Sequence, residues 1–174
     1  MPDACIGSNE HARTGEAGAP AEVEIVGTGE GRGVEATEFA EKVGPHKMRV
    51  GYHNHTTDFN RIDGEYWWNL FADRTTKSVI LQLDTGNASE MAGVPVVDLI
   101  RRNAGRTVSM HVKPFSKKNP DAYLGADELD WPAIMTASES VGGIEWYIIE
   151  YEREGVPPLE SLKANFDSLR KLRS

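Results

Sequence analysis

A single cysteine, Cys5, among 174 residues excludes an internal disulfide framework and fits a reducing compartment. Long apolar runs are missing as well. No stretch approaches the roughly 18 consecutive apolar residues of a membrane span, so no membrane partner is expected. The opening MPDACIGSNEHART has no apolar core of signal-peptide length. No secretion signal is read there, and a cytoplasmic setting is expected. Basic charge is scarce: 19 Lys and Arg stand against 27 Asp and Glu, a formal net charge of -8. That argues against nucleic acid as a partner, because its phosphates require a basic face. The same balance leaves cations open, since clustered carboxylates are what hard cations need.

The length suits one domain. Residues 1–20 are rich in Gly, Ala and polar groups and show no apolar period, so they read as a loose tail. AEVEIV (21–26) reads as a short strand. GTGEGRG (27–33) follows it, but Arg32 stands where a dinucleotide fingerprint has its third glycine. The stretch therefore reads as a mobile loop. Residues 1–33 are expected to form a flexible N-terminal segment, and 34–174 the folded domain.

Within that domain the apolar pattern alternates between the two periods of regular structure. Residues 34–44 read as a helix closed by Gly44, and 48–53 as a strand. Residues 64–74 read as a helix, and 78–84 as a strand with Val79, Leu81 and Leu83 on one face. A helix over 94–105 has Pro95 in its first turn and Gly105 at its end. A strand over 106–113 follows. A helix over 130–140 has Asp130 as N-cap. Residues 145–152 read as a strand, and 158–172 as an amphipathic helix carrying Leu159, Leu162, Phe166, Leu169 and Leu172. Such alternation predicts parallel strands joined by right-handed crossovers. A period of about 30 residues suits the (β/α) barrel unit, eight of which make a full barrel of about 250 residues. The expectation is an α/β fold: a partial TIM-type barrel of four to five units. Trp67, Trp68, Trp131 and Trp146 are expected in the core or between helices and sheet.

In parallel α/β folds, ligands bind at the C-terminal strand ends. The four clear strands end in His53-Asn54-His55, Asp84-Thr85-Gly86-Asn87, His111-Val112-Lys113 and Glu150-Tyr151-Glu152. Each has a plain reading of its own: a hydrogen-bonded loop histidine, an Asp-led turn, a solvated acidic end. Metal-binding side chains at four successive ends point instead to one divalent ion held by Asp84, His111 and Glu150. His111 is expected to share a face with Thr107, Ser109 and Lys113, while Val108, Met110 and Val112 face the helices. Imidazole with carboxylates suits Mn²⁺, Co²⁺, Fe²⁺, Zn²⁺ or Mg²⁺ rather than a thiophilic ion, and such a site acts as a Lewis acid. Tyr151 and Phe115 are the aromatic candidates for pocket walls.

GYHNHTTDF, LQLDTGNASEMAGVPVVDLIRRNAGR, MHVKPF, LGADELDW and WYIIEYE, in this order, resemble the sugar phosphate isomerase/epimerase family of xylose-isomerase-like barrels. The resemblance covers about residues 35–172. It implies one divalent metal, Mn²⁺ foremost, and Asp84, His111 and Glu150 match three of the family's ligand positions. The fourth, commonly Glu, falls on His53, with His55 in reserve. Asn87 matches a substrate-contacting position, and Lys113 and Lys117 lie where family loops meet substrate oxygens; His55 joins them as a substrate contact. Glu150 and His53 are the implied proton-transfer groups. The implied activity is metal-assisted proton transfer beside a carbonyl on a small sugar or cyclitol, as isomerase, epimerase or dehydratase. Two features depart from the family. A histidine replaces one of the paired glutamates, and the first three or four βα units are lacking. The alternative is a catalytically inactive half barrel, or a subunit that completes its barrel with a second copy or another chain. A metal-dependent nuclease on the same barrel fits less well, given the acidic balance and the lack of further His and Glu clusters.

Overall fold

The computed structural model describes residues 22–24, 32–91, 94–152 and 155–172. The tail and most of the glycine-bearing loop read above lie outside these residues. In chain order the elements are β1 (Glu22–Glu24), α1 (Arg32–Val43), β2 (Arg49–His53), the short strands β3 (Arg61–Ile62) and β4 (Glu65–Tyr66), α2 (Trp67–Arg74), β5 (Val79–Asp84), α3 (Thr85–Glu90), α4 (Val96–Arg102), β6 (Ser109–Val112), α5 (Trp131–Ala137), β7 (Trp146–Ile149) and α6 (Pro158–Leu172). Among the described residues, no helix is long and apolar enough to cross a membrane.

The main sheet has the order β1-β2-β5-β6-β7, and every pair in it is parallel. Each new strand adds beside the previous one, always on the same side. A doubly wound sheet would reverse direction once, whereas a barrel does not. The fold is thus α/β, with five consecutive strands of a TIM-type barrel.

Period-two alternation sorts each strand into two faces. Toward the helices point Val50 and Tyr52, then Val79, Leu81 and Leu83, then Met110 and Val112. All are buried, in one core with Trp68, Phe71, Ile100, Trp131 and Ile134. Tyr52 sits 4.6 Å from the Phe71 ring, and Trp67 stacks on Phe71 at 5.2 Å. Burial of each such side chain is worth roughly 1.5–3 kcal/mol, which fixes the register and so decides what the opposite face presents. That inner face carries His53, Ile80, Gln82, Asp84, Ser109, His111, Trp146 and Ile148. Gly51 lies there too, where a Cβ would come within 3.2 Å of the Ile80 Cβ.

Several boundaries differ from the sequence expectation. The helix expected over 64–74 begins at Trp67, because Asp63 (φ 51°) and Gly64 (φ 89°) form a two-residue hairpin turn between β3 and β4. Both positions need positive φ, which Asp-Gly supplies readily. The helix expected over 94–105 spans only Val96–Arg102, with Pro95 as its N-cap. The strand expected over 106–113 shortens to Ser109–Val112. Arg106 is diverted to bond the Val79 and Ala72 carbonyls and Thr75, and the Val108 carbonyl accepts from both Glu145 and Trp146. Val108, half-buried, lines a cavity with Ala40, Arg49, Val50, Ile80 and Glu145. Asp130 caps α5 as read, its carboxylate accepting from the Ala133 N–H at 3.1 Å.

Two expectations about packing are corrected. Trp146 is 45% exposed: it lies on the inner face of β7, the last strand of the sheet, beside Ile148 at 40%. And α6 buries Ser161, Asn165 and Leu169, leaving Leu159, Leu162 and Phe166 exposed. The Asn165 amide oxygen accepts from the Leu124 N–H at 2.9 Å, while of the apolar stripe Leu169 and Leu172 pack on the core.

Candidate metal centre

The site is built outward from Asp84. The last residue of β5 is also the N-cap of α3, its Oδ1 accepting from the Asn87 N–H at 2.7 Å. The run Asp84-Thr85-Gly86-Asn87, which reads as a turn in sequence, is thus the start of a helix. Asn54, one residue beyond β2, clamps the Asp84 backbone from the other side. Its Oδ1 accepts from the Asp84 N–H at 2.7 Å and its Nδ2 donates to the Asp84 carbonyl at 3.2 Å. Asp84 Oδ2 remains. It is buried and has no hydrogen-bond partner, an arrangement that costs free energy unless a cation or proton supplies the contact.

Around that oxygen the strand ends deliver three more ligand types. His53, Asp84, His111 and Glu150 each offer a ligand atom, and all four atoms lie within 4.8 Å of one another. The four residues stand at the ends of four neighbouring strands, β2, β5, β6 and β7. His53 Nε2 is 3.9 Å from Asp84 Oδ2. His111 Nδ1 and Glu150 Oε2 are in direct hydrogen-bond contact. Lys113 donates to Glu150 Oε1 at 2.7 Å and to Glu152 at 3.2 Å, and its Nζ is 4.0 Å from Asp84 Oδ2. Two imidazoles and two carboxylates with one buried, unpartnered oxygen fit a borderline-to-hard divalent ion. The group could hold such an ion.

The ionisation pattern follows from the same geometry. Burial pushes Asp84 up to about 7, against the opposing pull of the Asn87 N–H and Lys113. Glu150 is held down to about 2 by the His111 hydrogen bond, with Lys113 assisting. Burial lowers His53 to about 4, and the neighbouring His111 and His55 add to it. Burial works against the Lys113 charge, but the Glu150 bond and the nearby Asp84 outweigh it and raise its pKa. Two carboxylates pushed apart in this way are a recurring feature of functional sites.

The other residues named from sequence are distributed unevenly. Lys113 joins the cluster. Its stem crosses Gly86 so closely that a Cβ there would lie 2.6 Å from the Lys113 Cγ. Asn87 serves the frame, its Nδ2 donating to the Asn54 carbonyl at 3.1 Å. His55 is exposed, its ring 5.1 Å from that of His53. Lys117 does not reach the cluster. With Phe115 and Glu128 it lines a cavity beside the start of α4, bounded also by Val96 and Ile134. Tyr151 stacks on Tyr123 at 4.9 Å and donates to the Asp121 carbonyl.

Three framework residues carry no role in the sequence reading: Asn54, Gln82 and Thr85. The Thr85 hydroxyl bridges β5 to β6, meeting the Lys113 carbonyl at 2.8 Å and the Lys113 N–H at 3.0 Å. A signal was present for Gln82, a polar residue interrupting the apolar strand VILQLD. For Asn54 the sequence offers only its place between two histidines.

No protein-family model and no curated protein matches this sequence. Solved structures do match. A sugar phosphate isomerase/epimerase from Parabacteroides distasonis superposes with TM-score 0.69 at 21% identity, over 80% of this chain and 50% of that one. An L-ribulose 3-epimerase gives 0.53 at 17%, over 78% and 44%. A family 2 AP endonuclease from Brucella melitensis gives 0.53 at 24%, over 78% and 52%. The chain spans about half the length of these structures, and what it shares with them is the fold: a portion of a TIM-type barrel.

Proposed function

We propose that the chain binds one divalent metal ion through His53, Asp84, His111 and Glu150, and that the site moves a proton beside the carbonyl of a small sugar or cyclitol. The observation that carries this reading is the convergence of the four ligand atoms within 4.8 Å around the unpartnered Asp84 Oδ2. A Mn²⁺, Co²⁺, Mg²⁺, Zn²⁺ or Fe²⁺ ion there would supply Lewis acidity toward a hydroxyl–carbonyl pair.

The chain's own residues divide the remaining work. Glu150 stays ionised through the neutral range, so its Oε2 can take a proton from the carbon next to the carbonyl. Lys113 fixes Glu150 through Oε1 and offers an N–H to a substrate oxygen. His53, buried and neutral, would hold the ion through Nε2, so the proton taken by Glu150 is returned by Glu150 itself. The family resemblance implies His55, Asn87 and Lys117 as further substrate contacts. The L-ribulose 3-epimerase and sugar phosphate isomerase/epimerase likenesses favour a sugar over other substrates. A nuclease reading has less support, because the net charge of -8 repels a phosphate backbone.

The test is a metal-loaded preparation assayed against a panel of ketoses, aldoses and inososes in deuterated water. Solvent deuterium incorporated at the carbon beside the carbonyl supports the reading. A folded, metal-loaded protein that exchanges no substrate hydrogen sinks it.

A second reading has its own observation. Trp146 and Ile148 face the barrel interior at 45% and 40% exposure, and Leu162 and Phe166 lie open on α6. Apolar surface and an open strand edge favour association. In this reading the chain acts only after another copy or another chain completes the barrel. Light scattering across a concentration series tests it: a monomer at every concentration argues against it.

A further inference from the structure

Gln82 lies on the inner face of β5, one inward position before Asp84. Its amide is held at both ends. Nε2 donates to the hydroxyl of Ser109 on β6 at 2.8 Å, and that serine is fully buried. Oε1 stands 3.1 Å from Nδ1 of His53 on β2. On the far side of the same imidazole, Nε2 is turned to the cluster, 3.9 Å from Asp84 Oδ2. A neutral imidazole has one N–H and one lone pair, and the hydrogen bond made by one nitrogen decides the role of the other. An acceptor opposite Nδ1 places the proton there and leaves the Nε2 lone pair facing the cluster. The amide is anchored by Ser109 through its nitrogen, with its oxygen toward His53.

We propose that Gln82 is a positioning residue: anchored by Ser109, it holds His53 in the tautomer protonated on Nδ1 and presents Nε2 for metal ligation. This rests on the metal-binding reading above and extends it to a residue outside the ligand group. Such partners of a ligating histidine change metal affinity by roughly 10–100-fold when lost.

The experiment has two readouts on the full chain. Long-range ¹H–¹⁵N spectra of the metal-free protein report which His53 nitrogen carries the proton, with the resonances assigned by their loss in H53Q. Calorimetric titration with Mn²⁺ reports affinity. The wild type is expected to show a protonated Nδ1. Q82M, close in shape but without the acceptor, should shift the tautomer and weaken Mn²⁺ binding by roughly 10–100-fold. Q82E, which keeps an acceptor for His53 and can accept from Ser109, should restore the Nδ1-protonated form. S109A, which frees the amide to turn, should give a mixture and serves if Q82M fails to fold. A wild-type His53 protonated on Nε2 overturns the proposal, as does a folded Q82M with unchanged tautomer and affinity. If the wild type binds no Mn²⁺, the metal reading fails, while the His53 spectrum still decides the role of Gln82.

Discussion

Asn54 holds Asp84 by the backbone, with one side-chain amide satisfying both the N–H and the carbonyl of the aspartate at 2.7 and 3.2 Å. Strand β2 has ended by then, and the amide continues its pairing with β5 for one more residue. Asp84 Oδ1 is spent on capping α3, so the clamp leaves Oδ2 as the one atom aimed at the cluster.

Asn54→Ala removes that clamp without touching any ligand. Two buried backbone groups lose their partner, which costs about 1–3 kcal/mol. The expected outcome is a lowered midpoint in urea and Mn²⁺ affinity reduced by roughly 10–100-fold. Unaltered affinity in a folded variant would show that Asp84 needs no such support.

Replacing both Asp84 and His111 with Ala should abolish stoichiometric metal. Two of four ligands are gone, and the buried unpartnered oxygen disappears with them. Elemental analysis after dialysis against Mn²⁺ checks this. Stoichiometric metal in the double variant would place the ion elsewhere.

Asp84 also predicts a pH dependence. Folded, it keeps its proton up to about 7, against a reference value of 3.8. Between those values the native state binds more protons than the unfolded chain, so the Asp84 contribution to metal-free stability falls as pH rises. Three units correspond to about 4 kcal/mol as an upper bound. Asp84→Asn keeps the cap on α3 and stays neutral. In chelator, its melting temperature should match the wild type near pH 4 and exceed it increasingly toward pH 7. A gap independent of pH would refute the raised value. His53, lowered to about 4, works in the opposite sense, since its contribution is lost as pH falls from its ordinary range toward 4. The comparison of the two proteins isolates the aspartate.

Gly86→Ala tests the path of Lys113. The new methyl would lie 2.6 Å from the lysine Cγ, so the side chain must leave its course over α3. Overpacking of this kind costs roughly 1–3 kcal/mol. The Lys113–Glu150 contact should be lost, and with it part of what keeps Glu150 ionised. Thermal melts and the acid limb of the activity profile check the two effects. A variant that matches the wild type in both would show that Lys113 has another route.

The sequence by itself determined the order of strands and helices, because apolar residues at period two and period 3.6 must face a core. It determined the strand-end residues too, since parallel strands put Asp84, His111 and Glu150 at a common end of the sheet. His53 was legible only together with the family resemblance, its place falling on a position usually held by Glu. The hairpin at Asp63-Gly64 was written in its dipeptide but competed with a helix pattern that ran across it. Tertiary structure alone decided the rest. Whether Lys113 or Lys117 reaches the cluster depends on how the loop after β6 folds, and no local period records that. The helix α6 turned its Asn165 inward because the Leu124 N–H needed a partner 41 residues away. Asn54 acquired its role from β5 lying beside it, and Gln82 from β2 and β6 on either side. A side-chain amide does not reveal its hydrogen-bond partner until the fold has chosen its neighbours.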